Sequence, residues 1–258
     1  MIDSHCHLDF EQYDGRRDQV VAEALAAGVH TIVNIGIDLP TSRRSVELAA
    51  RYDSVYATVG VHPHEARTAD RGVTAAIRDL AAANKVVAIG EIGLDFYRDH
   101  SPRDDQRRVF RQMLEMACQL HLPVVIHTRE AFRETVQIVS DYRDSLSGGV
   151  FHCFPGDAAD ADRVIALGFV VGVGGVVTYK NSRMSRMVSQ VPLESIILET
   201  DAPFLAPEPL RGKTNQPAYI KHICGKVAEL TGRSPEDVSR ITDRTCQKLY
   251  RLVETFGD

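Results

Sequence analysis

The sequence predicts a single-domain (β/α)8 TIM barrel, an α/β fold, over residues 1–258. Three observations carry the expectation. Short β-branched runs alternate with amphipathic helical stretches along the chain, as in parallel strands joined by crossover helices. Eight such units fill 258 residues, the usual length of such a barrel. Histidines and carboxylates recur at the C-terminal ends of the strands, where this architecture places its chemistry. A doubly wound open sheet is the alternative. Its G-x-G-x-x-G fingerprint is absent after the first strand; Gly172, Gly174 and Gly175 come too late and wrongly spaced, and read as tight packing or a turn.

The first strand covers 2–7, within MIDSHCHLDF. Apolar Ile2, Cys6, Leu8 and Phe10 alternate with polar residues, so His5 and His7 share one face and Cys6 takes the other. Two imidazoles about 6–7 Å apart along a strand could close on one metal ion; ordinary hydrogen-bonded histidines are the competing reading. A helix over 17–27 follows, with Gly28 at its C-cap, then a strand at 31–36 and a helix at 41–52. The third strand, 55–61, leads into His62 and His64 in VGVHPH, and a helix covers 72–83. The fourth strand, 86–91, ends at Glu91 in AIGEIGLD. Ser101-Pro102 reads as an N-cap followed by a first-turn proline for a helix at 104–120. The fifth strand, 124–127, ends at His127, and a helix covers 130–141. The sixth, 149–152, ends at His152; its helix spans 158–167, with Gly168 at the C-cap. The seventh strand is 169–173, with a helix at 181–190, and the eighth, 196–200, runs into Asp201 in IILETD. Helices at 217–230 and 235–255 close the chain.

Composition narrows the function classes. Hydrophobic residues at 44% and charged residues at 25% suit a water-soluble protein with a substantial core. A net charge of −5 offers no global attraction to nucleic acid or anionic membrane, so an anionic partner requires a local basic patch or a metal. Neither a membrane span of ~18–20 apolar residues nor a signal peptide is visible. Five cysteines without a CxxC pair fit a reducing cytosol, and a cytoplasmic monomer is expected. Cys6 and Cys153 read as small buried residues against helices.

His5, His7, Glu91, His127, His152 and Asp201 each follow an apolar run at a strand end. Desolvating four histidines and two carboxylates together without a cation is costly, which favours a metal site. Nitrogen and oxygen donors without thiolate suit zinc, manganese or magnesium. Six donors exceed the needs of one tetrahedral ion and point to two divalent ions about 3.5–4 Å apart. Glu91 is placed to bridge them because it lies on the strand between the two histidine groups; Lys85, the only nearby lysine, begins that strand at the wrong end to do so. Asp201 is placed to orient a water, which makes Asp201 and Glu91 the expected catalytic carboxylates. Glu199 is expected behind them as a hydrogen-bond acceptor, and His64 as a solvated or structural group. His62 is placed to reach substrate.

Basic residues recur in the loops of the same end: Arg98, Arg129, Arg133, Lys180, Arg183, Arg211 and Lys213. Tyr97, Phe154 and Tyr179 are interleaved with them and could stack on bases, whereas Arg107, Arg108 and Arg111 read as solvated on a helix. Arg98, Arg129, Tyr179, Lys180, Arg211 and Lys213 are the expected substrate-binding rim, and a phosphate-bearing substrate follows.

The blocks DSHCHLD, NIGID, VGVHPH, IGEIGLDFYR, LPVVIHTREA, FHCFPG and ETDAPFLAPEPLRGKTNQPAY run from end to end. In them the chain resembles the TatD family of metal-dependent deoxyribonucleases, among the amidohydrolase-like barrels. The resemblance implies a (β/α)8 barrel, a divalent-metal site, and phosphodiester hydrolysis of DNA, mostly from a 3′ end. It carries His5, His7, Glu91, His127, His152 and Asp201 over as ligands and His62 as a substrate or supporting residue. The family often has a basic residue and a glutamate where this chain has Thr214 and Gln216. In-line attack of a water on the diester is expected, with a deep mouth favouring single strands and frayed ends, and hence exonuclease action in DNA repair or degradation. Hydrolysis of RNA or of another ester or amide is the alternative.

Overall fold

Eight strands lie parallel in chain order in the computed structural model, which describes residues 1–252. They are β1 (Ile2–Cys6), β2 (Thr31–Asn34), β3 (Val55–Val59), β4 (Val86–Asp95), β5 (Val124–Arg129), β6 (Gly149–Phe151), β7 (Phe169–Val173) and β8 (Ile196–Leu198). The helices are α1 (Arg17–Ala26), α2 (Leu39–Arg51), α3 (Arg71–Ala81), α4 (Arg103–Leu120), α5 (Phe132–Ser140), α6 (Ala158–Ala166), α7 (Arg183–Val188), α8 (Ile220–Thr231) and α9 (Pro235–Tyr250). This is the (β/α)8 barrel. It closes where the chain leaving β8 runs beside β1: Asp201 N donates to His5 O at 2.9 Å, and His7 N to Ala202 O at 2.7 Å. Closure therefore carries Asp201 next to the two histidines that are farthest from it in sequence.

Each strand buries both faces. Ile32, Ile89, Ile126 and Val171 pack outward into the helical shell, while Val33, Val87, Val125, Val150 and Ile197 fill the interior. Cys246, Tyr250 and Leu252 join that interior cluster, and Asp243 of α9 accepts from Ile2 N at 2.8 Å. Helix α9 thus closes the end where the strands begin, leaving the chemistry at the other end. No helix among the described residues is long and apolar enough to cross a membrane.

Several local expectations are corrected. Helix α9 ends at Tyr250, where Arg251 adopts a left-handed φ of 51°; the expected continuation over 253–255 lies outside the described residues. Ser101 does not cap α4. Its hydroxyl donates to His64 O at 2.6 Å and accepts from Arg67 N at 3.0 Å, fastening the loop after β3 instead. Helices α5 and α7 are shorter than their periodicity suggests. Arg107 and Arg111 are not merely solvated: they pair with Glu134 and Asp141 and tie α4 to α5. Strand β4 runs on past Glu91 to Asp95, and its register shifts against β3 and again between Ile89 and Ile92 against β5. At Gly93 a Cβ would lie 1.9 Å from His127 O, so only glycine lets β4 approach β5 this closely.

Candidate metal centre

The expected ligands come from five strands or the residues that follow them, and meet around Glu91. Its Oε1 lies 3.0 Å from His127 Nδ1 and 3.6 Å from His152 Nε2, and its Oε2 lies 3.5 Å from His5 Nε2. Asp201 Oδ1 is 3.5 Å from His7 Nε2 and 3.7 Å from His5 Nε2. The rings of His5 and His152 stack at 3.7 Å. Donor atoms of His5, His7 and Glu91 fall within 4.8 Å of one another, as do those of His5, His152 and Asp201, and of His62, Glu91 and His127.

Hydrogen bonds on the far side of each ring decide which nitrogen is free for an ion. His7 Nδ1 faces Ile35 O at 3.3 Å and His152 Nδ1 faces Glu199 Oε1 at 3.2 Å; donating there leaves each Nε2 with a lone pair toward the centre. His127 Nε2 faces Asp95 Oδ2 at 3.1 Å, which leaves Nδ1 on the Glu91 side. Both nitrogens of His5 are buried and without a hydrogen-bond partner. A cation answers that deficit, so the donor set fits a divalent metal. His62 differs. Its Nδ1 accepts from His64 N at 3.1 Å, so the neutral ring carries its proton on Nε2, 3.6 Å from Glu91 Oε1. In this tautomer the ring turns an N–H, not a lone pair, toward the centre.

The supporting carboxylates are unequal in legibility. Glu199 stands where expected, fully buried, accepting from His152 and from Cys153 N at 2.6 Å; a Cβ on Gly172 would strike its Oε2. Cys153 is only partly buried and sits in a left-handed turn with φ 43°, because its amide is aimed at Glu199, not because it packs against a helix. Asp95 does not stand out in the sequence pattern. Its Oδ2 takes both His127 Nε2 and His64 Nε2, at 3.1 and 3.0 Å, and its Oδ1 accepts from Tyr97 N and Arg98 N. The signal that could have found it is its place four residues past Glu91, on the same strand face. His64 is accordingly half-buried and bonded rather than solvated.

Charge balance in the metal-free protein falls to the histidines. Burial opposes ionisation of Glu91 and Asp201, but the surrounding imidazoles outweigh it and hold both carboxyls below their ordinary range. Burial works against a charged His152 as well, yet Glu199 and Glu91 raise its pKa to about 10. The proton on His152 therefore stabilises the fold fully below pH ~6.5, the unfolded value, and that contribution is lost as pH rises through about 10. A divalent ion held by His152 would take the place of this proton. The difference in Tm between metal-loaded and chelated protein is expected to widen from pH 6.5 toward 10; thermal denaturation across that range measures it, and a constant difference would contradict it.

At the rim, Arg129 lies 3.9 Å from the centre of the exposed Tyr97 ring and Arg98 5.6 Å. Arg211 covers Tyr179 at 4.6 Å and comes within 4.0 Å of Glu208, while Tyr179 donates its hydroxyl to Ala206 O. Lys180 and Lys213 are exposed. Phe154 cannot stack on a base, since it is buried edge-to-face against Phe132 and Phe151. Gln216 turns away from the mouth to Arg16 and Glu23 of the α1 region, and Thr214 is exposed. Phe10, read from the sequence only as an apolar strand residue, and Phe204, which the sequence pattern does not single out, stand beside His7 at 4.7 and 6.2 Å.

A family model described as TatD-related DNase matches residues 2–251. A Bacillus subtilis protein named as the uncharacterized metal-dependent hydrolase YabD is 39% identical, covering 98% of this chain and 99% of its own. A Cronobacter sakazakii protein named as the 3′-5′ ssDNA/RNA exonuclease TatD is 34% identical, covering 97% of each chain. The crystal structure of YjjV, a TatD homologue from Escherichia coli, superposes with a TM-score of 0.93 at 28% identity over 98% of each chain.

Proposed function

Because the chain belongs to the TatD-related DNase family, we propose that it is a divalent-metal-dependent hydrolase of DNA phosphodiester bonds, acting 3′ to 5′ on single strands and frayed ends. The observation that supports this reading most directly is the gathering of His5, His7, His127, His152 and Asp201 with Glu91, below a rim of arginines stacked on tyrosines. We assign His5, His7, Glu91, His127, His152 and Asp201 to two divalent ions, magnesium, manganese or zinc, with Glu91 shared between them. Bound there, the ions would lower the pKa of a water toward neutrality and offset charge on the diester.

The chain's own residues do the rest. Asp201 approaches His5 and His7 through Oδ1, and its carboxylate is placed to orient the attacking water and receive its proton. His62 directs Nε2–H at the centre, where a phosphate oxygen would accept it. Asp95 and Glu199 hold His127 and His152 in their ligating tautomers. Arg98, Arg129, Lys180, Arg211 and Lys213, with Tyr179, grip the strand. In this reading residues 1–258 form one domain that works as a monomer in the cytoplasm, in the degradation or repair of DNA. Single-stranded RNA, which the name of the Cronobacter relative includes, is the second substrate to compare. Initial rates on matched DNA and RNA oligonucleotides and on carboxyl-ester substrates test the assignment; turnover of esters alone would overturn it.

The rim carries its own prediction. Neutralising Arg98, Arg129, Lys180, Arg211 or Lys213 singly should raise KM for a short oligonucleotide. Removing one cation from a phosphate should reduce the log–log salt slope for a single strand by about 0.7. The effect on a small chromogenic diester, too short to span the rim, should be much smaller. Equal losses on both substrates would make these residues supports of the site, not groups that hold the strand.

A further inference from the structure

Beside the metal centre a cleft of about 770 Å³ opens between the loop after β1 and helix α2, with Asp9, Phe10, Glu11, Arg44, Glu47 and Phe204 among its walls. Its inner edge is Phe10, whose ring stacks on His7 at 4.7 Å. Phe204 stands edge-to-face with Phe10 at 5.8 Å and is 45% exposed. A phenyl ring that open to water, one ring removed from a candidate ligand, has a face available for a planar group. None of the roles assigned above uses it.

We propose that this cleft holds the terminal nucleoside of the strand, with its base against Phe204 and its free 3′-hydroxyl among the carboxylates. The inference rests on the exonuclease reading of the same centre. The lining carries Asp9, Glu11, Asp14 and Glu47 against Arg17, Arg44 and Arg51, and each arginine is already engaged: Arg44 with Asp9, Arg17 with Leu8 O and Asp14, Arg51 with Asp18. With its cations paired, the wall has Glu11 and Glu47 to accept hydrogen bonds from hydroxyl and amino groups and little to hold a phosphate. The stack of Arg98 and Arg129 on Tyr97 belongs to β4 and β5, across the barrel from β1 and β2. Arg211, in the loop that also carries Phe204, is drawn onto Tyr179 beyond β7 and does not line the cleft. A strand lying over the centre therefore has the stacked arginines for its phosphates and the cleft for its end. Cutting inside a strand would require a further phosphate to enter the acidic cleft. End specificity follows from that charge difference.

The test compares wild type, Phe204→Ala and Glu47→Lys, with Leu25→Ala as control, since Leu25 is an exposed apolar residue of α1 outside the cleft. The substrates are single-stranded oligonucleotides ending in an ordinary 3′-hydroxyl nucleotide, in an abasic nucleotide, or in a 3′-phosphate, together with a circular single strand and bis(p-nitrophenyl) phosphate. Phe204→Ala should raise KM about tenfold on the ordinary end, the loss of one base stack, with a much smaller change on the abasic end. Wild type should prefer the hydroxyl end to the phosphate end, and Glu47→Lys should narrow that preference. Equal losses for Phe204→Ala on ordinary and abasic ends would overturn the base-stacking role. Equal wild-type rates on hydroxyl, phosphate and circular substrates would overturn the acidic wall as an end reader. Wild-type turnover of the small diester with no cleavage of any oligonucleotide would instead overturn the nuclease reading, and this inference with it.

Discussion

Asp201→Asn is expected to lower kcat by about 10³-fold or more while the protein keeps most of its metal, whereas Glu91→Gln is expected to lose metal as well as activity. The two carboxylates differ in how many groups depend on them. Both oxygens of Glu91 are engaged: Oε1 faces His127, His152 and His62, and Oε2 faces His5. An amide there presents one acceptor instead of two and removes the charge that two ions would share. Asp201 meets two histidines, His5 and His7, through Oδ1. An asparagine can keep that oxygen in place, but the amide nitrogen cannot take a proton from water. Metal content of the purified variants, read beside single-turnover rates, separates the roles. Equal metal loss in both would remove the distinction between a shared ligand and a water-orienting group.

Chelation is expected to abolish turnover and leave the barrel folded. The interior cluster of Val33, Val87, Val125, Val150 and Ile197 and the outer shell around Ile32, Ile89 and Ile126 lie away from the ligands and need no ion. Burying uncompensated carboxylates costs several kcal/mol each, comparable with the roughly 5–15 kcal/mol that holds a domain folded. Protonated histidines supply the compensation in the absence of metal: burial opposes the charge on His7 and His127, but Asp201, Asp95 and Glu91 outweigh it and raise both pKa values. Far-UV circular dichroism should therefore be unchanged by chelator while Tm falls by a few degrees and nuclease activity disappears. Restoring the ion should restore activity. Full activity in the chelated protein would sink a metal-dependent mechanism; global unfolding would show that the ions hold the barrel together.

The sequence by itself determined the barrel and the positions of the candidate ligands. Both are local patterns: an apolar run of period two followed by a polar residue says strand and strand end, and eight repetitions leave one closed architecture. Glu91, His127, His152 and Asp201 were legible in this way because each follows an apolar run of its own strand, although β4 itself runs on, buried, past Glu91 to Asp95. What lay outside that logic depended on partners distant in the chain. Asp95 became a support of the site because β4 continues past Glu91 and Gly93 lets it approach β5. Phe154 left the rim because Phe132 and Phe151 bury it. Ser101 fastened the loop of His64 rather than capping α4. His62 takes its tautomer locally, from His64 N two residues on. Tertiary structure alone decided which nitrogen His7, His127 and His152 turn to the centre: a ring nitrogen's role is set by the group behind it, and those groups arrive from Ile35, Asp95 and Glu199 only when the strands assemble.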